Sequence, residues 1–580
     1  MISFRKTILT AAALTALLLP FNAIGRVVKV QPVAFDEVRM GGELRERVER
    51  NFRRLEEEKY QPDHVFLTEA QSNDWPGDTE GRTILALVLD AQAGRLQPRY
   101  LDEIMRRIPA HLNEKGYMGT IHSGLAHEQQ LSGNGWMLRA LCEYYQWKGG
   151  DEVLRLIRST VDSLFLDAAP LFATYPIAPD ERKQGIGAES GSIAATSGRW
   201  MLSTDIGCVF IGMEGLIHAY AVLKDARLRK PIEALLEKFL ALDLTGIRAQ
   251  THATLTACRG LIRYADATGY WRCVDEAARR FNIYRENGMT ENFENYNWFD
   301  RFDTWTEPCA IVDSYMLAVQ LWQHTLDPSY LDVAEEIYYN ALCHTQRFNG
   351  GFGCDNCPGL ATATSHLGVH APEAHWCCTM RGGEGLSSAV RYSLFKDSKG
   401  VYLPFYHEAA YDVRLSSGRN LAFQVSTSYP FNQQVQLNIL QAPSSATSIR
   451  LALRPWMENV KLTLDGRELP LPEAKWGFLE LRRRWVPGQV LEMSYTLRAE
   501  FRPVLNRKNA EGSGRRAFYG PLLLGCEGEA SEALPEHPRL EPTGPGEWGV
   551  TGTGLRLTPV YHLMDSKVWT GTGYKKRILF

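Results

Sequence analysis

The hydrophobic pattern divides the chain into two parts, and the first part is helical. From about residue 82 to residue 395, apolar residues recur at three- and four-residue spacing, which is typical of amphipathic helices. Four segments in this part repeat one plan, in which two helices are joined by a tight turn. The turns fall at Gly150, Asp225, Gly269 and Asp327. Because the repeats are irregular and long loops interrupt them, we predict a closed (α/α)6-type toroid rather than a solenoid, with the loops building one face.

From about residue 400 the pattern changes to short segments that alternate apolar and polar residues. Turn pairs such as Ser-Gly, Asp-Gly and Pro-Gly separate these segments, which is typical of an antiparallel β-sandwich. We therefore predict a multidomain α+β fold, with the toroid in residues 26–395 and the sandwich in residues 396–580. A short strand near residues 31–38 precedes the first helix, and we expect it to join the sandwich.

The first 25 residues have the pattern of a cleaved signal peptide. Arg5 and Lys6 precede an apolar run that ends at Leu19, and small residues follow it. No later stretch approaches the roughly 20 apolar residues of a membrane helix. We therefore expect a periplasmic or extracellular protein without a membrane anchor. The net charge of -3 on 580 residues gives no reason to expect a nucleic acid partner.

The cysteines give the strongest chemical signal. The chain has 11 of them, and an odd number in an exported protein leaves at least one outside a disulfide. Cys377 and Cys378 are adjacent, and the triplet Glu307-Pro308-Cys309 precedes them. Three thiols and one carboxylate form a complete ligand set for zinc. Both pairs stand at the start of predicted helices, so we expect them to meet at one end of the toroid.

Three other arrangements of these cysteines are open at this point. Cys309 could form a disulfide with Cys377 or Cys378. Cys354 and Cys357 form a C-x-x-C motif, which with the adjacent pair would give a four-thiol zinc site. Cys354 and Cys357 could instead form a local disulfide.

A group of acidic residues precedes Cys309. Residues 290–309 carry Glu291, Glu294, Asp300, Asp303 and Glu307 among Phe, Tyr and Trp. An apolar wall raises the pKa of a carboxyl group and keeps it protonated as a general acid. The alternative is a solvated acidic loop without a catalytic role.

At these residues the chain resembles glycoside hydrolase family 127, the β-L-arabinofuranosidase family. The family pairs a Glu-x-Phe motif with a Glu-x-Cys motif 16 positions later and a Cys-Cys pair further on. The corresponding residues here are Glu291-Asn292-Phe293, Glu307-Pro308-Cys309 and Cys377-Cys378. Segments near residues 252, 455 and 517 also resemble the family, so the resemblance covers nearly the whole chain after the signal peptide.

The resemblance implies an exo-acting, retaining glycoside hydrolase that releases β-L-arabinofuranose or a related sugar from plant-type glycans. It implies that Cys377 is the nucleophile and Glu291 the acid/base. It implies that zinc is held by Glu307, Cys309, Cys377 and Cys378. It further implies sugar contacts from His252 and from residues beside the nucleophile, His375 and Trp376.

The chain also departs from the family pattern, and alternatives follow. The family usually has Cys-x before the Cys-Cys pair and Pro after it, where this chain has His375-Trp376 and Thr379. Asn134 stands where an early histidine is expected. The glycone could therefore be another branched or acidic pectic sugar. An inverting hydrolase or lyase that uses Glu291 and Asp303, or a non-catalytic glycan-binding protein, are the further alternatives.

Overall fold

The computed structural model describes residues 30–67, 75–182, 191–415, 418–528, 532–564 and 573–580. The predicted signal peptide, residues 1–25, lies outside the described residues. Within them, no helix is both long and apolar enough to cross a membrane.

The first part of the chain is helical, as predicted. The α-helices are α1 Gly42–Arg54, α2 Asp78–Gly94, α3 Leu101–Arg107, α4 Glu128–Lys148, α5 Asp151–Thr160, α6 Leu166–Phe172, α7 Val209–Leu223, α8 Arg229–Ala241, α9 Thr251–Thr268, α10 Arg272–Asn287, α11 Pro308–Thr325, α12 Ser329–Ile337, α13 Cys343–Thr345 and α14 Cys378–Tyr392. Short π-helical turns, Val161–Phe165 and Tyr338–Leu342, join α5 to α6 and α12 to α13.

The helices form a closed double ring. Helices α2, α4, α7, α9, α11 and α14 each pack against the next, and α14 packs against α2, which closes the inner ring. Helices α3, α5, α8, α10 and α12 each pack against the inner helix before them, and α1 packs against α14 and α2. The predicted (α/α)6-type toroid is therefore confirmed. Because inner and outer helices alternate in antiparallel hairpins, all inner helices run in one direction, and their N-termini lie at one end of the ring.

Glycines allow the inner helices to approach one another closely. A Cβ atom on Gly135 of α4 would lie 2.7 Å from the Cα of Gly212 on α7. A Cβ on Gly81 of α2 would lie 2.5 Å from the backbone nitrogen of Met137 on α4. Only glycine fits such backbone contacts. These positions therefore set the tight packing between α2, α4 and α7.

The second part of the chain is rich in β-structure, as predicted, and the first part contributes several short strands. The strands are β1 Gln31–Pro32, β2 Val38–Met40, β3 Ala126–His127, β4 Ile193–Ser197, β5 Trp200–Ser203, β6 Cys354–Asp355, β7 His366–Ala371, β8 Phe395–Lys396, β9 Gly400–Leu403, β10 Ala409–Arg414, β11 Asn420–Thr427, β12 Gln434–Gln441, β13 Thr447–Ala452, β14 Met457–Leu464, β15 Arg467–Leu469, β16 Phe478–Arg483, β17 Val490–Leu497, β18 Ala499–Pro503, β19 Arg515–Tyr519, β20 Leu522–Glu527, β21 Leu540–Gly544, β22 Glu547–Val550, β23 Arg556–Pro559 and β24 Lys575–Arg577.

These strands form mainly antiparallel sheets that also include strands from the helical part. A five-stranded sheet has the order β1-β8-β9-β13-β16, and a seven-stranded sheet has the order β15-β14-β17-β12-β11-β10-β2. The N-terminal strands β1 and β2 thus pair with strands of the second part. A third sheet contains β18 to β24 and extends through β24 to β7 and β6. This pairing places the loop that carries Cys354 between the toroid and the C-terminal strands.

Candidate active site

Three cysteine sulfurs meet at the N-termini of two inner helices. Glu307 is the N-cap residue of α11, Pro308 is its first residue, and Cys309 follows. Cys377 is the N-cap residue of α14, which begins at Cys378. The Sγ atoms of Cys309 and Cys378 are 3.6 Å apart, and those of Cys377 and Cys378 are 3.2 Å apart. The structure therefore brings the three predicted thiols together.

This spacing suits a shared metal ion and does not suit a disulfide. All three Sγ atoms lie within 4.8 Å of one another. Two thiolates on a tetrahedral zinc, each about 2.3 Å from it, lie about 3.8 Å apart, whereas a disulfide bond is about 2.0 Å long. All 11 cysteines are free thiols in the structure. Neither the Cys309 disulfide nor the Cys354–Cys357 disulfide is formed.

The fourth predicted ligand, Glu307, lies beside this cluster. A carboxylate oxygen of Glu307, the Sγ of Cys309 and a ring nitrogen of His252 all lie within 4.8 Å of one another. Asn295 accepts a hydrogen bond from the backbone nitrogen of Glu307 at 2.9 Å, and the side chain of Gln250 approaches its carboxylate at 3.4 Å. Glu307 is therefore held next to Cys309, on the side of the cluster that faces His252.

The surroundings of the thiols keep them protonated unless a cation is present. Burial raises the pKa of Cys309 and of Cys378 well above the ordinary value. Contact with Cys309 lowers the pKa of Cys377, but contact with Cys378 and burial outweigh it, so that this pKa is also raised. Three thiolates in one buried cluster therefore need positive charge nearby.

Arg82 supplies one buried positive charge. Its Nη1 donates to the Sγ of Cys309 at 3.2 Å, while Nε and Nη2 bind the carboxylate of Asp78 at 2.6 and 3.0 Å. Although burial opposes its charge, Asp78 and Cys309 raise the pKa of Arg82. The guanidinium group also lies 4.2 Å from the ring centre of Trp136. Arg82 is thus fixed as a permanent cation against the thiol cluster.

A cavity of about 560 Å³ opens above Cys377 and Cys378. Its wall combines aromatic rings with polar and charged side chains, and small-ligand sites use both kinds of contact. Residues that line it include Trp75, Asp78, Arg82, Asp205, Gln250, His252, Asn297, Trp305, Glu307, Cys354, His370, Trp376, Cys377 and Cys378. Trp305 and His370 stack with their ring centres 5.2 Å apart. Flat rings of this kind bind the apolar faces of sugars.

His252 points one ring nitrogen at the candidate metal group. It lies in the first turn of α9, and its Nδ1 is 2.9 Å from Oδ2 of Asp313. Asp313 is itself bound by Arg259 and Arg381 at 2.5 and 2.6 Å. Because Nδ1 is occupied, Nε2 remains for the cavity, and it has no hydrogen-bond partner among the described residues. The predicted sugar contact of His252 stays a prediction, in a position where a sugar hydroxyl can reach it.

The other two predicted sugar contacts differ in position. Trp376 lines the cavity, and 53% of its surface is exposed at the cavity mouth. His375 is not part of the cavity wall. Its ring stands edge-on to Trp376 at 5.0 Å, and its carbonyl oxygen accepts a hydrogen bond from Tyr60. Trp376 therefore lies on the cavity wall and His375 behind it, and the sugar contacts of both stay predictions.

The structure does not place Glu291 on the wall of the cavity. Glu291 is fully buried and does not line the cavity. Its carboxylate accepts hydrogen bonds from the backbone nitrogens of Leu505 and Asn506, at 2.7 and 3.0 Å, and from the Asn509 side chain at 2.9 Å. Arg516 also lies 3.2 Å from this carboxylate. In this structure Glu291 anchors the segment after β18 to the toroid, and the acid/base role that the resemblance implied stays a prediction.

Several residues of the cavity were not predicted from the sequence. Arg82, Asp78 and Asp205 come from helix starts and loops with no local motif. Cys354 lines the cavity on β6, whereas Cys357 is directed at the carbonyl oxygen of Asn295 at 3.9 Å and does not line it. The four-thiol site that requires both members of the C-x-x-C motif is therefore not formed.

Asn134, which stands where the family has a histidine, has a structural role here. Its side chain is fully buried and binds the backbone of Met118, Pro76 and Gln130. It does not line the cavity. Asn134 therefore serves the packing of the ring and not the cavity wall of this chain.

Two family models match this chain at the elements that form the site and the sheets. The β-L-arabinofuranosidase, GH127 catalytic domain, matches residues 259–391, and the β-L-arabinofuranosidase, GH127 middle domain, matches residues 400–497. The two matches together place residues 259–391 and 400–497 in line with the domains of glycoside hydrolase family 127, as the motifs suggested. The catalytic match contains Glu307 and all three clustered cysteines, and it supports a glycoside hydrolase.

Solved structures agree with this fold over nearly the whole chain. A GH127 β-arabinofuranosidase has a TM-score of 0.69 at 15% identity, over 95% of this chain and 97% of its own. A β-L-arabinofuranosidase from Geobacillus stearothermophilus T6 has a TM-score of 0.64 at 14% identity, over 93% and 99%. A further glycoside hydrolase has a TM-score of 0.66 at 14% identity, over 95% and 97%. No curated protein matches the chain.

Proposed function

We propose that this enzyme is an exo-acting, retaining glycoside hydrolase that releases β-L-arabinofuranose, or a related furanose-like sugar, from plant-type oligosaccharides and glycans. The observation that carries the proposal is the cluster of three thiols in the matched catalytic domain, two of which, Cys377 and Cys378, line the cavity. A β-L-arabinofuranosidase is also named among the similar solved structures. Given the signal-peptide pattern of residues 1–25, we place this activity in the periplasm or outside the cell.

Cys377 is the proposed nucleophile because it is the most exposed thiol of the cluster and lines the cavity. Cys309 and Cys378 are fully buried, whereas Cys377 is half-buried. Its sulfur would attack the anomeric carbon while the bond to the leaving oxygen breaks and a carboxylic acid protonates that oxygen. The same carboxylate would then take a proton from water, whose oxygen displaces the sulfur from the anomeric carbon. Two displacements at one carbon retain its configuration.

The residues that would hold zinc are Glu307, Cys309, Cys377 and Cys378. The donor set and the spacing of the sulfur atoms support this assignment. When bound, zinc would supply the charge that keeps the thiols deprotonated at neutral pH. Arg82, through Cys309, would share that task.

Two carboxylic acids compete for the acid/base role. Glu291 is favoured by the family motif, but its carboxylate has four partners and does not line the cavity. Asp205 lines the cavity, and Glu128 fixes its loop by accepting hydrogen bonds from the backbone nitrogens of Ser203 and Gly207 at 2.9 and 3.3 Å. Glu307 also lines the cavity, but we assign it to the metal.

The acid/base can be identified with Glu291→Gln and Asp205→Asn. The true acid/base variant should lose most activity on a disaccharide, whose leaving group needs a proton, and much less on an aryl glycoside with an acidic leaving group. Azide should restore its turnover and yield a glycosyl azide of retained configuration. The other variant should show neither effect. If both variants behave alike on the two substrates, neither residue is the acid/base.

The function itself is tested by a panel of arabinosides and pectic oligosaccharides, with the configuration of the first product followed by NMR. Hydrolysis of a β-L-arabinofuranoside with retention, lost in Cys377→Ala, is the expected result. Cys258→Ala is the matched control, because Cys258 is a fully buried thiol of α9 outside the cluster. Binding without hydrolysis across the panel, or hydrolysis with inversion, would contradict the proposal.

The two-acid alternative receives no support from the structure. Asp303 pairs with Arg301 at 2.8 Å near the surface and does not line the cavity. Glu291 is turned into the contact with the segment after β18. An inverting hydrolase needs both carboxyl groups across one substrate bond, and these two do not share a cavity.

A further inference from the structure

Three buried side chains behind the cysteine cluster form a second group that can hold a metal. Glu294 lies in the loop before α11, His344 lies in α13, and Asp355 lies in β6. One ligand atom from each lies within 4.8 Å of the others. All three residues are fully buried. None of them belongs to the proposed catalytic machinery.

The two carboxylates each have one oxygen inside this group that accepts no hydrogen bond among the described residues. Asp355 accepts a hydrogen bond from Arg347 on Oδ1 at 2.8 Å, and Glu294 accepts one from Asn292 on Oε1 at 2.8 Å. The second oxygens, Oδ2 of Asp355 and Oε2 of Glu294, are buried and accept no hydrogen bond among the described residues, and Oδ2 lies 3.2 Å from Nε2 of His344. A buried carboxylate oxygen that accepts no hydrogen bond is costly to remove from water, so a cation bound between these oxygens would stabilise them.

The orientation of His344 also fits a metal ligand. Its Nδ1 lies 3.1 Å from the carbonyl oxygen of Val560, which can only accept a hydrogen bond. The ring proton therefore sits on Nδ1, and in the neutral ring Nε2 carries a lone pair. Nε2 is 3.2 Å from Oδ2 of Asp355. A nitrogen and an oxygen that share a tetrahedral zinc, each about 2.0–2.1 Å from it, lie about 3.4 Å apart. Backbone contacts of this kind commonly orient a metal-binding histidine.

We propose that Glu294, His344 and Asp355 form a second, structural metal site that takes a divalent ion of the zinc class. One imidazole nitrogen and two carboxylate oxygens suit such an ion better than a soft, thiol-preferring metal. The site is enclosed, and its three residues do not line the catalytic cavity, so that it serves the fold and not the reaction.

Its position explains what a metal there would stabilise. The backbone nitrogen of Thr306 donates to the carbonyl of Asp355 at 2.9 Å, and the backbone nitrogen of Asp355 donates to the Thr306 hydroxyl at 2.8 Å. Thr306 precedes Glu307, and Asp355 follows Cys354. The metal would therefore join the segment that carries Glu307 to the strand that carries Cys354, and through Val560 to the C-terminal part of the chain.

The metal-free alternative is a shared proton. Burial, and then the charge of Asp355, raise the pKa of Glu294 well above its ordinary value. If Glu294 is protonated and Arg347 neutralises Asp355, the buried group has no net charge and needs no metal. The two arrangements differ in metal content, which can be measured directly.

The test is metal analysis of the purified mature protein by elemental mass spectrometry, together with X-ray absorption at the zinc edge. In Cys378→Ser, which removes a ligand of the cysteine site, we expect about one zinc to remain per chain, with nitrogen and oxygen neighbours and no sulfur. Asp355→Asn should lose that zinc and lower Tm. Asp90→Asn is the matched control, because Asp90 is a buried aspartate that also has an unpartnered Oδ2 but belongs to no such group. It should keep the metal content of the wild type.

The outcomes separate this inference from the proposed function. Zinc with only nitrogen and oxygen neighbours in Cys378→Ser supports the second site, even if the enzyme shows no arabinofuranosidase activity. Cys378→Ser without zinc, or with only sulfur-bound zinc, overturns it, even if the wild type is fully active. The measurement on Cys378→Ser does not depend on whether Asp355→Asn folds, because Cys378→Ser leaves Glu294, His344 and Asp355 unchanged.

Discussion

The contact between Arg82 and Cys309 gives a sharp prediction about how the chain stabilises its thiolates. Arg82 is the buried cation that touches the cluster, at 3.2 Å from the Cys309 Sγ, and it also binds Asp78 through two hydrogen bonds. Removing Arg82 alone would leave Asp78 as an unpaired buried charge, which destabilises a fold by about 3–5 kcal/mol. The informative variant is therefore the double substitution Arg82→Met with Asp78→Asn, which removes both charges.

The expected size of the effect follows from the geometry. A hydrogen bond to a charged partner contributes about 1.5–3 kcal/mol. If the thiolate keeps its charge in the transition state, the double variant loses this amount of stabilisation, which corresponds to a fall of about 10- to 150-fold in kcat/KM. Arg82→Lys keeps the charge but loses the planar guanidinium group, so the lysine can bind Asp78 or Cys309 but not both. We expect its kcat/KM to lie between those of the wild type and the double variant.

The assay compares kcat/KM on an aryl β-L-arabinofuranoside with zinc content and urea stability for each variant. Asp78→Asn alone is the control, because it removes the acid and leaves the contact between Arg82 and Cys309. We expect it to retain more activity than the double variant. A double variant that folds, binds zinc and stays within about twofold of wild-type kcat/KM would refute this prediction. The loss of a contact that contributes about 1.5 kcal/mol or more would lower kcat/KM by about tenfold or more.

Three further predictions follow from the same structure. Oxidants should inactivate the enzyme and reductants should restore it, because clustered thiols oxidise to disulfides and sulfenic acids; activity indifferent to both treatments would contradict a thiolate nucleophile. Trp376→Ala should raise KM for oligosaccharides much more than for small aryl glycosides, since the ring lies at the exposed cavity mouth; equal changes for both would argue against a role in binding the longer substrate. Asp90→Asn should stabilise the protein at pH 8 but not at pH 4. Burial raises the pKa of Asp90 to about 7, so the folded protein holds a proton that the unfolded chain releases. The stability of the wild type therefore falls as pH rises from about 4 to 7, by at most about 4 kcal/mol. Unfolding midpoints of wild type and Asp90→Asn that differ equally at both pH values would contradict this.

The sequence was sufficient for the toroid and for the meeting of the thiols, for identifiable reasons. The four helical hairpins have strong three- and four-residue periodicity and turns that break it, such as Gly269, which ends α9 in a left-handed conformation. A closed ring of such hairpins places all inner N-termini at one end. Cys309 and Cys378 stand in the first turn of inner helices, so their meeting followed from their place along the chain.

The position of Glu291 could not be predicted from the sequence, because its partners come from more than 200 residues away in the chain. Its carboxylate binds backbone nitrogens of the segment that follows β18, and backbone groups carry no sequence signature. The motif around Glu291 gave its identity and spacing but not the direction of its side chain. The same is true of Glu294, whose neighbours His344 and Asp355 belong to segments that meet only in the folded protein.

Arg82 and Asp205 show a further limit of local patterns. Arg82 lies in α2, where an arginine among apolar residues reads as one charge on a helix. Asp205 lies in the loop between β5 and α7 and has no motif of its own. Each becomes part of the cavity because the ring closes and brings α2 and this loop beside α11 and α14. Only the packing of the inner helices identifies these residues.

The central claim is that Cys377 is the nucleophile, and detection of a covalent intermediate on its sulfur tests this claim most directly. We would quench a reaction with a fast-reacting aryl β-L-arabinofuranoside within milliseconds, measure the intact mass and map the modified peptide. The account predicts a mass increase of one pentosyl unit, carried by Cys377 and absent from Cys377→Ala. A pentosyl unit on a carboxylate, or full turnover by Cys377→Ala, would contradict it.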